Sequence, residues 1–524
     1  MPLKSKTIRR RNMENSTKER SDAVRLLEIS DDTSINHEVS EEFSLPDYVP
    51  EVRKILLTRA QVLPESKYVS DTTTPPTLEL GGTVTYSIIY TNEEGMLCAL
   101  PLNSSYEAKA PILANGATFI DTTVENCTTR VTAPRKLTVK TKLKSRIMGF
   151  NEKTEGENIS PRSSADEIYI ERKTEPRKSL EIMPISLQNI RMNDRLDMSG
   201  MEKSKPIWCD ASIILSDVKA QGGRVSVRGD VTVKCLLVNG MEETVISKTI
   251  PLVEDIEAEG AVVGDMTSAR ARCVSLSISN EENGEKSELF FDLNCELEGE
   301  VQRNNEIELT KDAYSTKNEM QSTYKNIDVF TSLKCQNASF TVSESFKREN
   351  DAISKIIDVI ADPVYEKTEV KGNKIYFLGK LFVHVIGRSE INDEGTCEYL
   401  SDHYEIPIKY ETELPRINGE IISRCDFSIG NLNARYDSER FYITTEIFPT
   451  FSVYEKSTAT VLDKAILKKE TEYKTDSSCV RVCFPKETET LWDIAKKYHT
   501  TVNKLAEQNG ISSEDSLKGK SLII

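Results

Sequence analysis

Three separated stretches of the chain alternate apolar and polar residues with a period of two, and each carries one glycine. They are Gly82-Thr-Val-Thr-Tyr-Ser-Ile-Ile-Tyr90, Gly229-Asp-Val-Thr-Val-Lys-Cys-Leu-Leu237 and Gly379-Lys-Leu-Phe-Val-His-Val-Ile386. This period predicts strands with one buried and one solvated face, as in antiparallel sheets. A polar turn and an apolar-proline-apolar triplet follow each stretch: Leu100-Pro101-Leu102, Ile250-Pro251-Leu252 and Ile406-Pro407-Ile408. The glycine-to-proline separation grows from 19 to 22 to 28 residues, which places the length changes at a hairpin tip. A strand proline confines each triplet to a sheet edge or a strand start. Further alternating strands follow at 136–143, 272–278 and 423–429, with additional ones at 289–297 and 441–453.

The chain therefore reads as mainly β, with three antiparallel β-sandwich or open-barrel repeat modules at 40–150, 206–310 and 325–473. Two short helices are expected within them. Pro50 to Ala60 places Val52, Ile55 and Leu56 on one helical face, and Asp351 to Ile360 does the same with Ile353, Ile356, Ile357 and Ile360. Residues 1–39 are polar with few aromatics and read as a disordered tail. Residues 151–205 lack a sustained apolar period and read as a linker, with local packing at 182–190.

The periodicity changes in the last segment, 478–524. A short strand at Val482 to Phe484 precedes a helix at Thr490 to Tyr498, with Leu491, Ile494, Ala495 and Tyr498 on one face. Thr490 caps that helix and Asp493 completes the box. A second helix runs from Thr501 to Asn509 and stops at Gly510, and Ser521 to Ile524 form a closing strand. So small a βααβ unit holds no general acid, base or metal set and reads as a binding module.

Composition narrows the function. With 68 Lys and Arg against 84 Asp and Glu, the net charge is −16, which disfavours nucleic acid. The basic start (Lys4, Lys6 and Arg9 to Arg11) reads as a solvated tail, with a membrane-surface contact as the alternative. The first forty residues contain no signal-peptide-like apolar region, and no apolar run is long enough to cross a membrane. The 11 cysteines lie mostly in strand-like runs without zinc spacing, and read as buried free thiols in a reducing compartment. Two apparent phosphate loops, Gly372…Gly379-Lys380 and Gly519-Lys520-Ser521, lack the required spacing. His37, His384, His403 and His499 are far apart in the chain, and the carboxylates concentrate in hairpin tips and linkers. No catalytic residue, metal ligand or cofactor is expected.

The Thr490-Leu491-Trp492-x-Ile494-Ala495-x-x-Tyr498 run, the Leu505…Asn509 segment and the terminal Gly519-Lys-Ser-Leu-Ile resemble a LysM domain. The resemblance implies a groove between the two loops that grips N-acetylglucosamine polymers such as peptidoglycan. Thr488-Glu489 stands where the family commonly has Gly-Asp, which removes the glycine's backbone freedom and favours a protein ligand over a glycan. The candidate partner-binding residues are Thr488, Glu489, Leu491, Trp492, Asn509, Gly510 and Ile511. For Trp492, packing in the small core is the competing role.

The first repeat, through Leu45-Pro-Asp-Tyr-Val-Pro-Glu-Val-Arg-Lys-Ile-Leu56, Gly82…Tyr90 and Arg135-Lys136-Leu137, resembles the SPOCS domain of sporulation coat-associated proteins. The third repeat matches it more weakly, and the second most weakly. This resemblance implies a non-enzymatic scaffold of the endospore coat, in the mother-cell cytoplasm at the outer forespore membrane. Its implied partners are stage IV sporulation protein A (the coat ATPase), bound through the LysM domain, and other coat proteins bound by the β-modules. Membrane contact would be indirect.

Overall fold

Six strands, repeated three times, account for most of the chain in a computed structural model describing residues 24–70, 73–156, 158–160, 169–283, 286–348, 352–393, 396–437, 439–473, 481–512 and 517–524. In the first unit, β1 (Val24–Ser44), β2 (Lys54–Ser70), β3 (Thr77–Thr91), β4 (Leu97–Pro111), β5 (Thr118–Ala133) and β6 (Lys136–Glu155) make two antiparallel sheets. Their orders are β2-β3-β4 and β1-β6-β5. A short strand, β7 (Asn158–Ser160), leads to β8 (Ile170–Asp197), β9 (Lys205–Gln221), β10 (Arg224–Asn239), β11 (Glu242–Glu257), β12 (Met266–Asn283) and β13 (Lys286–Ser315). These repeat the scheme as β9-β10-β11 and β8-β13-β12.

In the third unit β14 (Asn318–Asn337) and β15 (Phe340–Lys347) share the place of the first strand. They are followed by β16 (Lys355–Lys371), β17 (Lys374–Arg388), β18 (Tyr399–Glu413), β19 (Glu420–Tyr436) and β20 (Arg440–Glu472). Here the sheets are β16-β17-β18 and a group in which β14, β15 and β19 all pair with β20. The connecting β7 adds to β20 in parallel at Lys464 to Ile466, tying the segment after the first unit to the third. The expected mainly β architecture of antiparallel sheets is thus observed.

The three sequence glycines have one structural cause. Each faces a bulge in the preceding strand, where a Cβ would lie 2.3 Å from the Leu63 carbonyl oxygen at Gly82, 2.0 Å from that of Ile214 at Gly229 and 2.2 Å from that of Val364 at Gly379. Only glycine fits so close an approach. The prolines lie on β4, β11 and β18, which are terminal in their sheets. Pro251 and Pro407 sit opposite the residues that follow Gly229 and Gly379, but Pro101 sits opposite Ser87, well along from Gly82. The first triplet is therefore out of register with the other two, and hairpin-tip length alone does not explain its spacing.

Four expectations are corrected. Pro50 to Arg53 is irregular backbone leading into β2, which takes up Lys54 to Ala60, and the segment expected as a second helix becomes β16 from Lys355, with Asp351 outside the described residues. Both segments carry consecutive apolar residues because the strand is covered on both faces. Ile55 packs into its own unit, while Leu56 and Leu57 face the other two. A bulge at Ile55/Leu57, and another at Ile356/Asp358, further blurs the period. The stretch from 24 to 39, expected as disordered tail, pairs along β6 from Val24↔Glu155; residues 1–23 lie outside the described residues. An outer strand with one wet face needs few apolar side chains, and Leu26 and Phe43 are among those it buries or half-buries. The expected linker 151–205 contains the end of β6 and all of β8, which pairs along β13. Cys209 and Cys235 lie opposite each other on β9 and β10 with their sulfurs in contact.

The units meet at a shared centre. Leu56, Leu57 and Ile89 of the first, Trp208 and Leu236 of the second, and Ile357, Ile360 and Ile386 of the third form one buried cluster. Beside it Arg59 on β2 reaches Asp210 on β9 at 2.6 Å and Asp362 on β16 at 2.7 Å. A second set repeats the arrangement: Arg270 on β12 pairs with Asp121 on β5 at 2.5 Å and with Asp426 on β19 at 3.3 Å. In each set one arginine bridges carboxylates of the other two units, so charge and apolar packing select the same arrangement.

Candidate functional site

The last segment folds as β21 (Val482–Cys483), α1 (Leu491–Lys497), α2 (Val502–Asn509) and β22 (Leu522–Ile523), with Val482 paired to Ile523 and Cys483 to Leu522. Thr490 caps α1 as its sequence requires. Its Oγ1 accepts from the Asp493 N–H at 3.3 Å, and Asp493 Oδ2 accepts from the Thr490 N–H at 2.8 Å. Gly510 closes α2 in the left-handed region (φ 58°, ψ 38°). Leu491, Ile494, Ala495, Leu505, Leu517 and Leu522 fill the core.

Trp492 belongs to the same buried cluster and turns its indole toward the second unit. Its indole packs edge-on against Tyr314 near the end of β13, with centroids 4.9 Å apart, and its Nε1 donates to Asp312 Oδ2 at 2.9 Å. Lys496, one helical turn on, donates to both Asp312 oxygens at 2.7 Å. Tyr324 on β14 donates to Asp312 Oδ1 at 2.7 Å, and Tyr314 donates to the Thr500 carbonyl at 2.7 Å. His499 stacks on Tyr473 just beyond β20, at 3.5 Å between centroids. Burial pushes the Asp312 carboxyl up, but the bonds from Lys496, Tyr324 and Trp492 outweigh it and hold it below the ordinary carboxylate range.

The seven sequence-selected residues therefore divide. Leu491 is buried in the small core, and Trp492, 9 % exposed, is committed to the contact with β13. Asn509 is structural: its amide accepts from the Ile523 N–H at 2.6 Å and donates to the Ile523 and Leu505 carbonyls. Ile511 packs half-buried against the same core. Glu489 accepts the Lys486 N–H at 2.7 Å and so stiffens the first loop. Thr488 and Gly510 face solvent. Glu487 of the first loop and Lys518 of the second form an exposed ion pair at 2.8 Å.

Sequence reasoning missed an apolar surface on this module: Phe484 is 76 % exposed, Val482 54 % and Ile523 47 %. The signal was present in the strand itself, whose alternation leaves Val482 and Phe484 on the face away from Cys483. It also missed two polar groupings that only folding creates. His384 and His403, opposite each other on β17 and β18, lie 2.7 Å apart through their Nδ1 atoms. Burial, then the neighbouring His403, pushes His384 down to about 4. Nor are all carboxylates solvated: Glu300 is fully buried between Arg424, Ser452 and Tyr454, and Glu243 between Lys355, Arg388 and Tyr399.

The LysM domain family model matches residues 486–521, which are the two loops and both helices of this module. No curated protein and no solved structure matches the chain. The chain thus carries a C-terminal LysM domain on a largely β-strand protein, and LysM domains generally bind peptidoglycan or chitin or mediate binding.

Proposed function

We propose that this chain is a non-enzymatic scaffold of the endospore coat, resembling the morphogenetic protein SipL, with SPOCS-like units that carry a LysM domain. In this reading the LysM domain binds stage IV sporulation protein A, the ATPase that coats the forespore. The β-units recruit further coat proteins, and the protein works in the mother-cell cytoplasm at the outer forespore membrane. The observation that carries the reading is the seating of the LysM module through Trp492, Lys496 and Asp312. That contact spends the module's tryptophan on the scaffold and leaves the first loop, Thr488, Gly510 and the Phe484 surface outward. Such an outward face mixes apolar and polar groups in the manner of a protein interface.

The test is capture of the purified ATPase by the intact chain, by a chain ending before Val482 and by a Thr488→Arg, Phe484→Ser double variant. Loss of capture in both altered chains supports the reading; undiminished capture without the LysM module would sink it. A second reading follows from the family match itself, in which the module holds peptidoglycan. Sedimentation of the intact chain with purified peptidoglycan separates the two, and tight, saturable binding favours the glycan.

A further inference from the structure

In each unit the second and fifth strands are terminal in their sheets and approach each other along a seam. The second unit closes its seam through Thr267 Oγ1 on β12, which donates to the Val218 carbonyl on β9 at 2.7 Å. The third does so through the Ser423 hydroxyl on β19, which donates to Thr368 Oγ1 on β16 at 2.8 Å. Among the described residues, side-chain hydrogen bonds cross the first unit's seam only near its two ends. Thr58 and Thr129 meet at 2.9 Å, and Lys67 donates to the Thr118 carbonyl at 2.8 Å. Between these contacts β2 and β5 diverge around a cavity of about 480 Å³.

We infer that this open seam between β2 and β5 is a docking groove for an extended peptide strand of a partner protein. Successive residues of both strands, 58–63 and 122–127, line the cavity. A strand that presents a face lines a cavity with alternate residues, whereas successive residues mean that the strand presents its edge. The phase of β5 can be read from its bonds. The carbonyls of Thr118 and Ile120 point away from β6, toward Lys67 and Arg270, while that of Ala117 bonds Phe150 on β6. Thr122 and Val124 continue the outward set, so their N–H and C=O groups point into the cavity at a strand repeat of roughly 6.8 Å. Open main-chain groups at that repeat recognise another extended backbone, as in strand addition. The floor is mixed, with Ile213, Val364 and Phe382 apolar and Arg272, Asp362 and Asp426 charged, so the inward face of the peptide carries both apolar and polar side chains. Among the described residues, no strand of this chain occupies the groove. This deepens the scaffold reading through a site separate from the LysM module.

The test is selection of a displayed library of random linear peptides on the intact chain, followed by affinity measurements on a Thr122→Pro variant. Proline there removes the outward N–H and leaves the main-chain ladder to β6, and a Thr122→Val control, which keeps the N–H, accounts for the lost hydroxyl contact with Ser145 on β6. The expected result is peptides that bind the intact chain, bind the variant roughly tenfold more weakly, and slow amide exchange at Thr122 and Val124. No enriched peptide, equal affinity for the folded variant, or unchanged exchange at those two amides would each overturn the inference. The exchange measurement uses the intact chain and so decides the matter even where the proline variant fails to fold. ATPase capture by the intact and proline chains alike, with no peptide bound, would leave the scaffold reading standing and remove this one.

Discussion

Trp492 on the LysM module and Asp312 on the second β-unit share a hydrogen bond of 2.9 Å across 180 residues of sequence. Asp312 also receives Lys496 and Tyr324, so one carboxylate organises the seat of the whole C-terminal module. The module has its own helix caps and its own core, and the seat is a separate layer of interactions.

Asp312→Ala should therefore undock the module without unfolding it. Removing the carboxylate leaves Lys496 and the indole N–H without their acceptor and should weaken docking by about 1–3 kcal/mol. With Trp208 replaced by Phe, Trp492 is the remaining tryptophan of two. Its emission should shift to the red in Asp312→Ala while the module's helical signal persists.

The same seat should respond to acid. A carboxyl held below its ordinary value in the folded state contributes stability that is present above the unfolded value and lost as pH falls through the lowered folded value. Docking should be complete at neutral pH and should loosen only below the ordinary carboxylate range. Trp492 emission against pH, flattened in Asp312→Asn, checks this.

Arg59→Met should cost about 3–5 kcal/mol, because it leaves Asp210 and Asp362 facing each other without their shared cation. Adding Asp210→Asn and Asp362→Asn should recover part of the loss. Thermal denaturation of the single and triple variants measures both.

The bulge glycines should be intolerant in a graded way. Gly229→Ala, with its Cβ 2.0 Å from a carbonyl oxygen, should cost at least about 1–3 kcal/mol. Gly372→Ala sits in open space at φ +63°, and its cost of about 1 kcal/mol comes from the backbone alone. Chemical denaturation of the two variants gives the comparison.

His384 predicts a second pH dependence, of the same sign and in a different window. Its folded value near 4 lies below the ordinary 6.5, so the unfolded chain binds more protons between those values and stability falls as pH drops from 6.5 toward 4. His384→Gln should flatten that slope, by on the order of 1–2 kcal/mol across the window after solvent screening. Denaturation midpoints at pH 4.5 and 7 test it.

The legible parts of the fold were those with a strong local signal. The third strand of each unit is buried deeply enough to alternate cleanly and carries the glycine its bulge demands. The LysM helices announce themselves through Thr490, Thr501 and Gly510. The first strands, β1 and β8, lie at sheet edges with one wet face and look like tail and linker. At β2 and β16 the error ran the other way: burial by two sets of neighbours made a strand look helical.

By itself the sequence determined that the chain is mainly β, that the glycine-bearing stretches are strands and that the chain carries a small βααβ module. Those properties depend on side-chain periodicity and backbone permissiveness, which act over a few residues. Only the tertiary structure decided that Arg59 joins Asp210 and Asp362, that His384 meets His403, and that Trp492 links the LysM core to Asp312. Each of those contacts spans different strands or modules. Its energy depends on which surfaces exclude water together, and that is fixed only when the whole chain has packed.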